Sequence, residues 1–322
     1  MADSLNEHCS PCRLYILCMD IDAEILLLRL RIPNVIPIRL AEFENEDRKL
    51  ADVKPVRSTV EYYFTSKASL IRYVLAKNPD CTRATYLDAD LCFFADPSQL
   101  DNEIAESSVA VTEHRFSPGN QRLYKYGRFN AGWLSIRNDV TGRNCIEWWR
   151  SRCLEWCRDY VEGDRYADQK YMDKFPELFN AAIVSNIGAN LAPWNIGNYI
   201  LSCSGEKIFV DGQPVIFYHF QGVKRLFGSI IESGLASYRQ QLAPLARDHL
   251  FVPYMEKWRE AEGKVDKIRE ELIRQGGKKK SGVITPKIKR GSLGRRSRIL
   301  LTSILRNLKY RTLFLSSGYS RR

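Results

Sequence analysis

Short apolar runs alternate with helically spaced segments along the first hundred residues. Residues 13–19 (RLYILCM) make an apolar run of strand length, residues 23–31 repeat apolar positions at helical spacing, and residues 35–38 are a second short run. Residues 2–8 read as the end of a helix, and residues 40–52 are acidic with helical character. Residues 58–76 carry a longer helical repeat that stops before Asn78-Pro79. A third apolar run, 85–94 (TYLDADLCFF), follows. Strand, helix, strand, helix, strand within roughly 90 residues predicts an α/β fold with a mainly parallel central sheet flanked by helices.

Further on, residues 109–112 predict a strand, 117–127 a polar loop, and 128–136 (RFNAGWLSI) a buried strand with a tight turn at Asn130-Ala131-Gly132. Trp149, Cys153, Trp156 and Tyr160 recur at spacings of three and four, which predicts a core helix over 144–160. A helix opens at 168–174, with Asp168 placed to cap it or to face a cleft. Residues 182–184, 208–210 and 214–220 are strand candidates. Residues 254–275 are a charged helix whose Trp258, Ala261, Val265, Ile268 and Leu272 share one apolar seam.

Charge changes this picture at one end only. The chain has 322 residues, 49 of them Lys or Arg and 38 Asp or Glu, for a net +11. Residues 278–322 hold 14 of the basic residues and no acidic one, so the 49 less these 14 leave 35 against 38, a net of −3 for residues 1–277. The nine Cys are scattered and several sit inside apolar runs, which fits buried thiols in a reducing compartment. Cys9-x-x-Cys12 has no matching second pair nearby to make a zinc site. No apolar h-region opens the chain, and no stretch reaches transmembrane length.

The chemistry gathers at Asp88-Ala89-Asp90. If the strand continues through them, both carboxylates point to one side. Two such charges repel unless a cation lies between them, and burying them unpaired is costly. A divalent ion or an ordinary solvated strand end both satisfy this pattern. Four more stretches set polar groups among apolar ones: Asn130 beside Gly132, Asp168-Gln169, the Pro193-Trp194-Asn195 loop, and His219 followed by Gly222 and Lys224. Trp194 in its loop can stack a sugar face or fill the core. An imidazole can join carboxylates on a metal, and a Lys suits phosphate. Such a mixed oxygen and nitrogen set fits Mn²⁺ better than Mg²⁺.

In order and content these motifs resemble the glycosyltransferases of the GT-A fold, particularly family 8-like enzymes that use nucleotide-diphospho-sugars. The resemblance covers roughly residues 2–224. It implies Asp88, Asp90 and His219 as ligands of Mn²⁺ (or Mg²⁺), with Asp88, Gly222 and Lys224 toward the donor and its diphosphate. It implies Asn130, Asp168 and Gln169 near the reacting sugar, and places Arg57 and Lys67 where such enzymes set a basic residue toward the donor. The implied reaction moves a sugar from a nucleotide-diphospho-sugar (a UDP-sugar) to a glycan or lipid-linked acceptor, with retention. The alternative is a degenerate nucleotide-sugar or glycan binding module without turnover. Enzymes of this fold open with a strand before the first helix, and this chain is expected to lack that strand.

The expected organisation is a catalytic domain over 1–253, a charged helix over 254–275, a flexible basic linker over 276–294 and a basic tail over 295–322. Leu300, Leu301, Ile304, Leu305 and Leu308 fall on one helical stripe edged by Arg, which suits an anionic membrane surface. The expected location is cytoplasmic, peripheral at the membrane's inner face. Aromatic interleaving in the tail is sparse, which argues against nucleic acid.

Overall fold

The computed structural model describes residues 1–9, 12–227, 230–275 and 313–315. The expected linker and the amphipathic stripe of the tail lie outside the described residues. Of the tail, Leu313–Leu315 is a strand, paired antiparallel with Ile230–Glu232. Among the described residues no helix is long and apolar enough to cross a membrane.

The fold is α/β, but its sheets are small and mixed, not one mainly parallel sheet. Leu14–Cys18 pairs parallel with Val35–Arg39 across the Ile21–Leu30 helix, a right-sized βαβ unit. The four-stranded sheet has the spatial order Arg83–Leu87, Phe129–Arg137, Val109–Glu113, Ala182–Ile183. Three of these strands run one way, and Phe129–Arg137 runs against its two neighbours between them. The reason lies in its approach. The chain leaves Val109–Glu113 through a 3₁₀ segment, Pro118–Tyr126, and returns without a helical crossover, so it re-enters antiparallel. Three further small sheets, one of them pairing Leu91–Phe93 with Phe217–His219, are antiparallel throughout.

Helices cover the four-stranded sheet because their sequence repeats match the period. Thr59–Lys77 starts at a capping box, Ser58 and Glu61 each bonding the other's backbone N–H. It packs with Val140–Glu155 over the sheet, burying Ala68, Ile71, Cys145, Trp149 and Cys153. That second helix ends at Glu155, earlier than the apolar spacing predicts, so Trp156 is its C-cap and Tyr160 lies beyond it, exposed. Val252–Gln275 is one continuous helix. Its first turns, with Tyr254 and Trp258, close a separate core around Tyr218, Phe220 and Phe251.

Candidate metal and donor site

Asp88-Ala89-Asp90 does not continue a strand. Arg83–Leu87 belongs to the four-stranded sheet, while Leu91–Phe93 pairs with Phe217–His219 in another. The chain changes sheets here through a tight turn, with the Leu91 N–H donating to the Asp88 carbonyl at 3.3 Å. The turn, not strand alternation, brings the carboxylates together. The second pairing places His219 opposite Leu91, and the Phe220 N–H donates to the Asp90 carbonyl at 2.9 Å. Register alone therefore delivers the imidazole to the turn.

Ligand atoms of Asp88, Asp90 and His219 lie within 4.8 Å of one another. His219 Nε2 is 3.0 Å from Asp90 Oδ1 and 3.9 Å from Asp88 Oδ2. His219 is buried and its Nε2 makes no hydrogen bond, while both carboxylates reach solvent. An orphaned buried nitrogen facing two carboxylates is the donor set a divalent cation completes, with its outer side open to a ligand. Burial pushes the Asp90 carboxyl up, but the adjoining His219 and Lys67 pull it below the usual carboxylate range.

Behind the turn sits a buried ammonium. Lys67 Nζ is 3.0 Å from Asp88 Oδ1 and 3.5 Å from Asp168 Oδ2, and donates to the Ala131 carbonyl at 3.1 Å. Burial opposes its charge, yet Asp168 and Asp88 hold its pKa well above the usual lysine value. The Tyr86 hydroxyl donates to Asp88 Oδ1 at 2.8 Å. Asp168 is itself buried and its Oδ2 makes no hydrogen bond; burial raises its carboxyl against the pull of Lys67. It does not cap the helix that follows. Ala167, just before it, sits at φ 47, a left-handed backbone that aims Asp168 inward.

Asn130-Ala131-Gly132 is not a turn. It lies in the continuous strand Phe129–Arg137, where Val111 faces Leu134 but Thr112 faces Asn130, so residues 131–133 bulge from that neighbour. Gln169 Oε1 accepts from the Ala131 N–H at 3.2 Å and pins the bulge. A side chain at Gly132 would place its Cβ 2.6 Å from both Asn130 Oδ1 and His219 Cε1, so glycine is what lets the imidazole approach.

The structure separates the other expected residues. Arg57 Nη2 donates to the Leu154 carbonyl at 3.0 Å and closes a helix end, away from the carboxylates that Lys67 meets. Trp194 is 3 % exposed, packed with Phe116 and Ala192 and edge-on to His219, so it is a wall of the core and not a platform for a sugar. Gly222 adopts φ 80 in the loop after His219, and Lys224 beyond it is exposed with no ion pair among the described residues. Two participants are absent from the sequence reading. Tyr86 carried a signal, since a residue two before Asp88 on a strand shares its face. His114 carried none beyond being a lone His after an apolar run.

No family model matches the sequence. Two proteins of Bacillus subtilis (strain 168) are similar to it. The uncharacterized protein YfnD is 37 % identical over 226 residues, covering 69 % of this chain and 72 % of its own. The uncharacterized protein YfnF is 36 % identical over 232 residues, covering 69 % and 75 %. Among solved structures, apo mouse xyloside xylosyltransferase 1 aligns at TM-score 0.41 and 12 % identity, over 68 % of this chain and 89 % of that one. A glycosyltransferase involved in glycosylation of the PBCV-1 major capsid aligns at TM-score 0.37 and 10 % identity, over 66 % and 95 %. At such scores neither likeness bears on what this chain does.

Proposed function

The chain belongs to the family of the Bacillus subtilis proteins YfnD and YfnF, and we propose that it is a GT-A-type glycosyltransferase acting on a nucleotide-diphospho-sugar. The observation that carries this reading is the convergence of Asp88, Asp90 and the unpartnered His219 Nε2 on one point at the rim of the fold. Three carboxylates, counting Asp168, meet there against one ammonium, Lys67. That excess of negative charge calls for a divalent cation, and the nitrogen donor favours Mn²⁺ over Mg²⁺.

Asp88, Asp90 and His219 would hold the cation, which when bound supplies positive charge against a diphosphate leaving group. Lys67 keeps its proton and fixes the positions of Asp88 and Asp168. Asp168 is the carboxylate beside the reacting sugar, and Gln169 holds the strand bulge on which Asn130 sits. Lys224, exposed beyond Gly222, is the point charge for the diphosphate. The donor is a UDP-sugar, transferred with retention to a glycan or lipid-linked acceptor, and the basic tail rests on an anionic membrane surface at the cytoplasmic face. A panel of nucleotide-sugars, with and without Mn²⁺, tests this. Release of nucleoside diphosphate that needs both Mn²⁺ and Asp90 is expected. Release unaffected by Asp90→Ala, or none from any donor, would overturn it.

A further inference from the structure

Behind His219 a line of hydrogen bonds runs through the strand bulge to the backbone, and its ends are groups that can act in only one sense. The Gly132 N–H can only donate, and it donates to Asn130 Oδ1 at 3.1 Å. The Asn130 amide is therefore turned with its carbonyl toward Gly132 and its NH₂ the other way. The Arg128 carbonyl can only accept, and it lies 3.2 Å from His114 Nδ1, so the proton of His114 is on Nδ1. That ring stacks on Phe116 and meets the edge of Trp194, and burial lowers its pKa to about 3. His114 is then neutral, with a bare Nε2, and this nitrogen accepts from Asn130 Nδ2 at 3.4 Å. The second neighbour of that NH₂ is Gln169 Oε1 at 3.5 Å, an oxygen turned there by the Ala131 N–H, while Gln169 Nε2 donates to the Tyr126 carbonyl at 3.0 Å. Every neighbour of the Asn130 NH₂ accepts, so the amide cannot flip. What remains is Asn130 Oδ1, which accepts from His219 Nδ1 at 3.2 Å.

We propose that His114 is a positioning residue of the cation site: acting through Asn130, it holds His219 in the Nδ1-protonated tautomer, whose bare Nε2 completes the donor set of Asp88 and Asp90. The proposal rests on reading those three residues as a cation site. It gives physical content to two features left over from that reading. His114 lies on the strand side of the bulge, remote in sequence from every ligand, yet it is buried and bonded on both ring nitrogens. Asn130, whose amide is spent on His219, Gly132 and His114, acts on the ligand His219 and not on a substrate. An imidazole that binds a metal through one nitrogen needs its other N–H held by an acceptor, and loss of such an acceptor costs about 10–100-fold in metal affinity.

The test uses the full chain, whose four histidines are few enough to assign by ¹⁵N NMR through single substitutions. In the metal-free wild type, His219 is expected with Nδ1 protonated, whether or not Asp90 Oδ1, 3.0 Å from Nε2, holds a second proton there. His114→Phe keeps a ring but no nitrogen; it should loosen the Nδ1 protonation of His219 and weaken Mn²⁺ binding, read by electron paramagnetic resonance, toward the about 10–100-fold that losing the Asn130 acceptor itself costs. His114→Gln can still donate to the Arg128 carbonyl and accept from Asn130, and should restore both. A His219 whose Nδ1 is bare in the wild type overturns the proposal. So does equal Mn²⁺ affinity in the Phe and Gln variants when the wild type binds Mn²⁺. A wild type that takes up no Mn²⁺ overturns the cation reading itself, and the two failures are told apart by the wild-type titration.

Discussion

Two regions of the molecule gather charged side chains, and they balance them differently. A cavity of about 340 Å³ is lined by Asp47 and by residues of the Leu40–Glu46, Thr59–Lys77 and Val140–Glu155 helices, among them Glu46, Arg72, Lys77, Arg143 and Glu147. There each carboxylate has its own cation. Lys77 bonds Glu46 at 2.7 Å, Arg72 bonds Glu147 at 2.6 Å, and Arg150 bonds Asp47 through both carboxylate oxygens. At the Asp88 turn, Asp88 and Asp168 share Lys67, Asp90 has only His219, and a buried nitrogen and a buried carboxylate oxygen lack hydrogen bonds. The first arrangement is balanced in charge, with only the neutral Ser69 hydroxyl in its lining left without a hydrogen bond. The second is incomplete by charge and by hydrogen bonding, and a cation would complete both.

The comparison can be broken at its weakest joints. The largest effect is expected from Lys67→Met, which leaves Asp88 and Asp168 facing each other without their ammonium. Loss of one member of a buried ion pair costs about 3–5 kcal/mol, read as a fall in the denaturant midpoint. Added Mn²⁺ should recover part of it. Next comes Asp90→Ala, expected to lower donor turnover by about 10²–10³-fold while the thermal midpoint barely moves, since electrostatic stabilisers of a leaving group contribute on that scale. Gly132→Ala drives a methyl into Asn130 and His219 and should cost about 1–3 kcal/mol of stability, with a further loss of Mn²⁺ affinity because the imidazole is displaced.

Acid should reveal the buried His114. Its folded pKa of about 3 lies below the ordinary 6.5, so the unfolded chain binds a proton that the folded chain refuses. This contribution to stability is complete above pH 6.5 and is lost as pH falls toward 3, at about 1.4 kcal/mol per pH unit. His114→Gln should lack that slope in denaturant titrations across the range. The smallest effect belongs to the paired cavity. Glu147→Ala removes an exposed partner of Arg72 and should change stability by at most about 1 kcal/mol, with turnover and Mn²⁺ binding as in the wild type. A large loss of turnover there would collapse the distinction between the two regions.

Much of the site was legible because its residues announce themselves locally. Two carboxylates one residue apart at the end of an apolar run, and a His at the end of another, are visible without a structure. Arg57 lies just before the Thr59–Lys77 helix and Lys67 within it, and the two look alike in sequence. They part because Lys67 lies on the face toward the Asp88 turn, whereas Arg57 precedes the helix and reaches the end of its neighbour. The parallel-sheet expectation failed in the four-stranded sheet at Phe129–Arg137, whose direction depends on a connection with no strong pattern of its own, and in the three smaller sheets that are antiparallel throughout. His114 was illegible for a related reason. It reaches Asn130 only because that strand inserts between two others and bulges at residues 131–133, a register no local repeat encodes. Trp194 shows the converse, a loop aromatic whose sequence left a sugar platform and a core role both open and which is core, because His114, Phe116 and Tyr238 surround it.

The central claim is that Asp88, Asp90 and His219 together hold a divalent cation. Titration of Mn²⁺ into the metal-free chain, followed by electron paramagnetic resonance, tests it most directly. The account predicts a single site in the wild type and in Glu147→Ala, and its loss in Asp90→Ala and His219→Ala, each shown to be folded by circular dichroism. Folded Asp90→Ala and His219→Ala proteins that bind Mn²⁺ as the wild type does would contradict it.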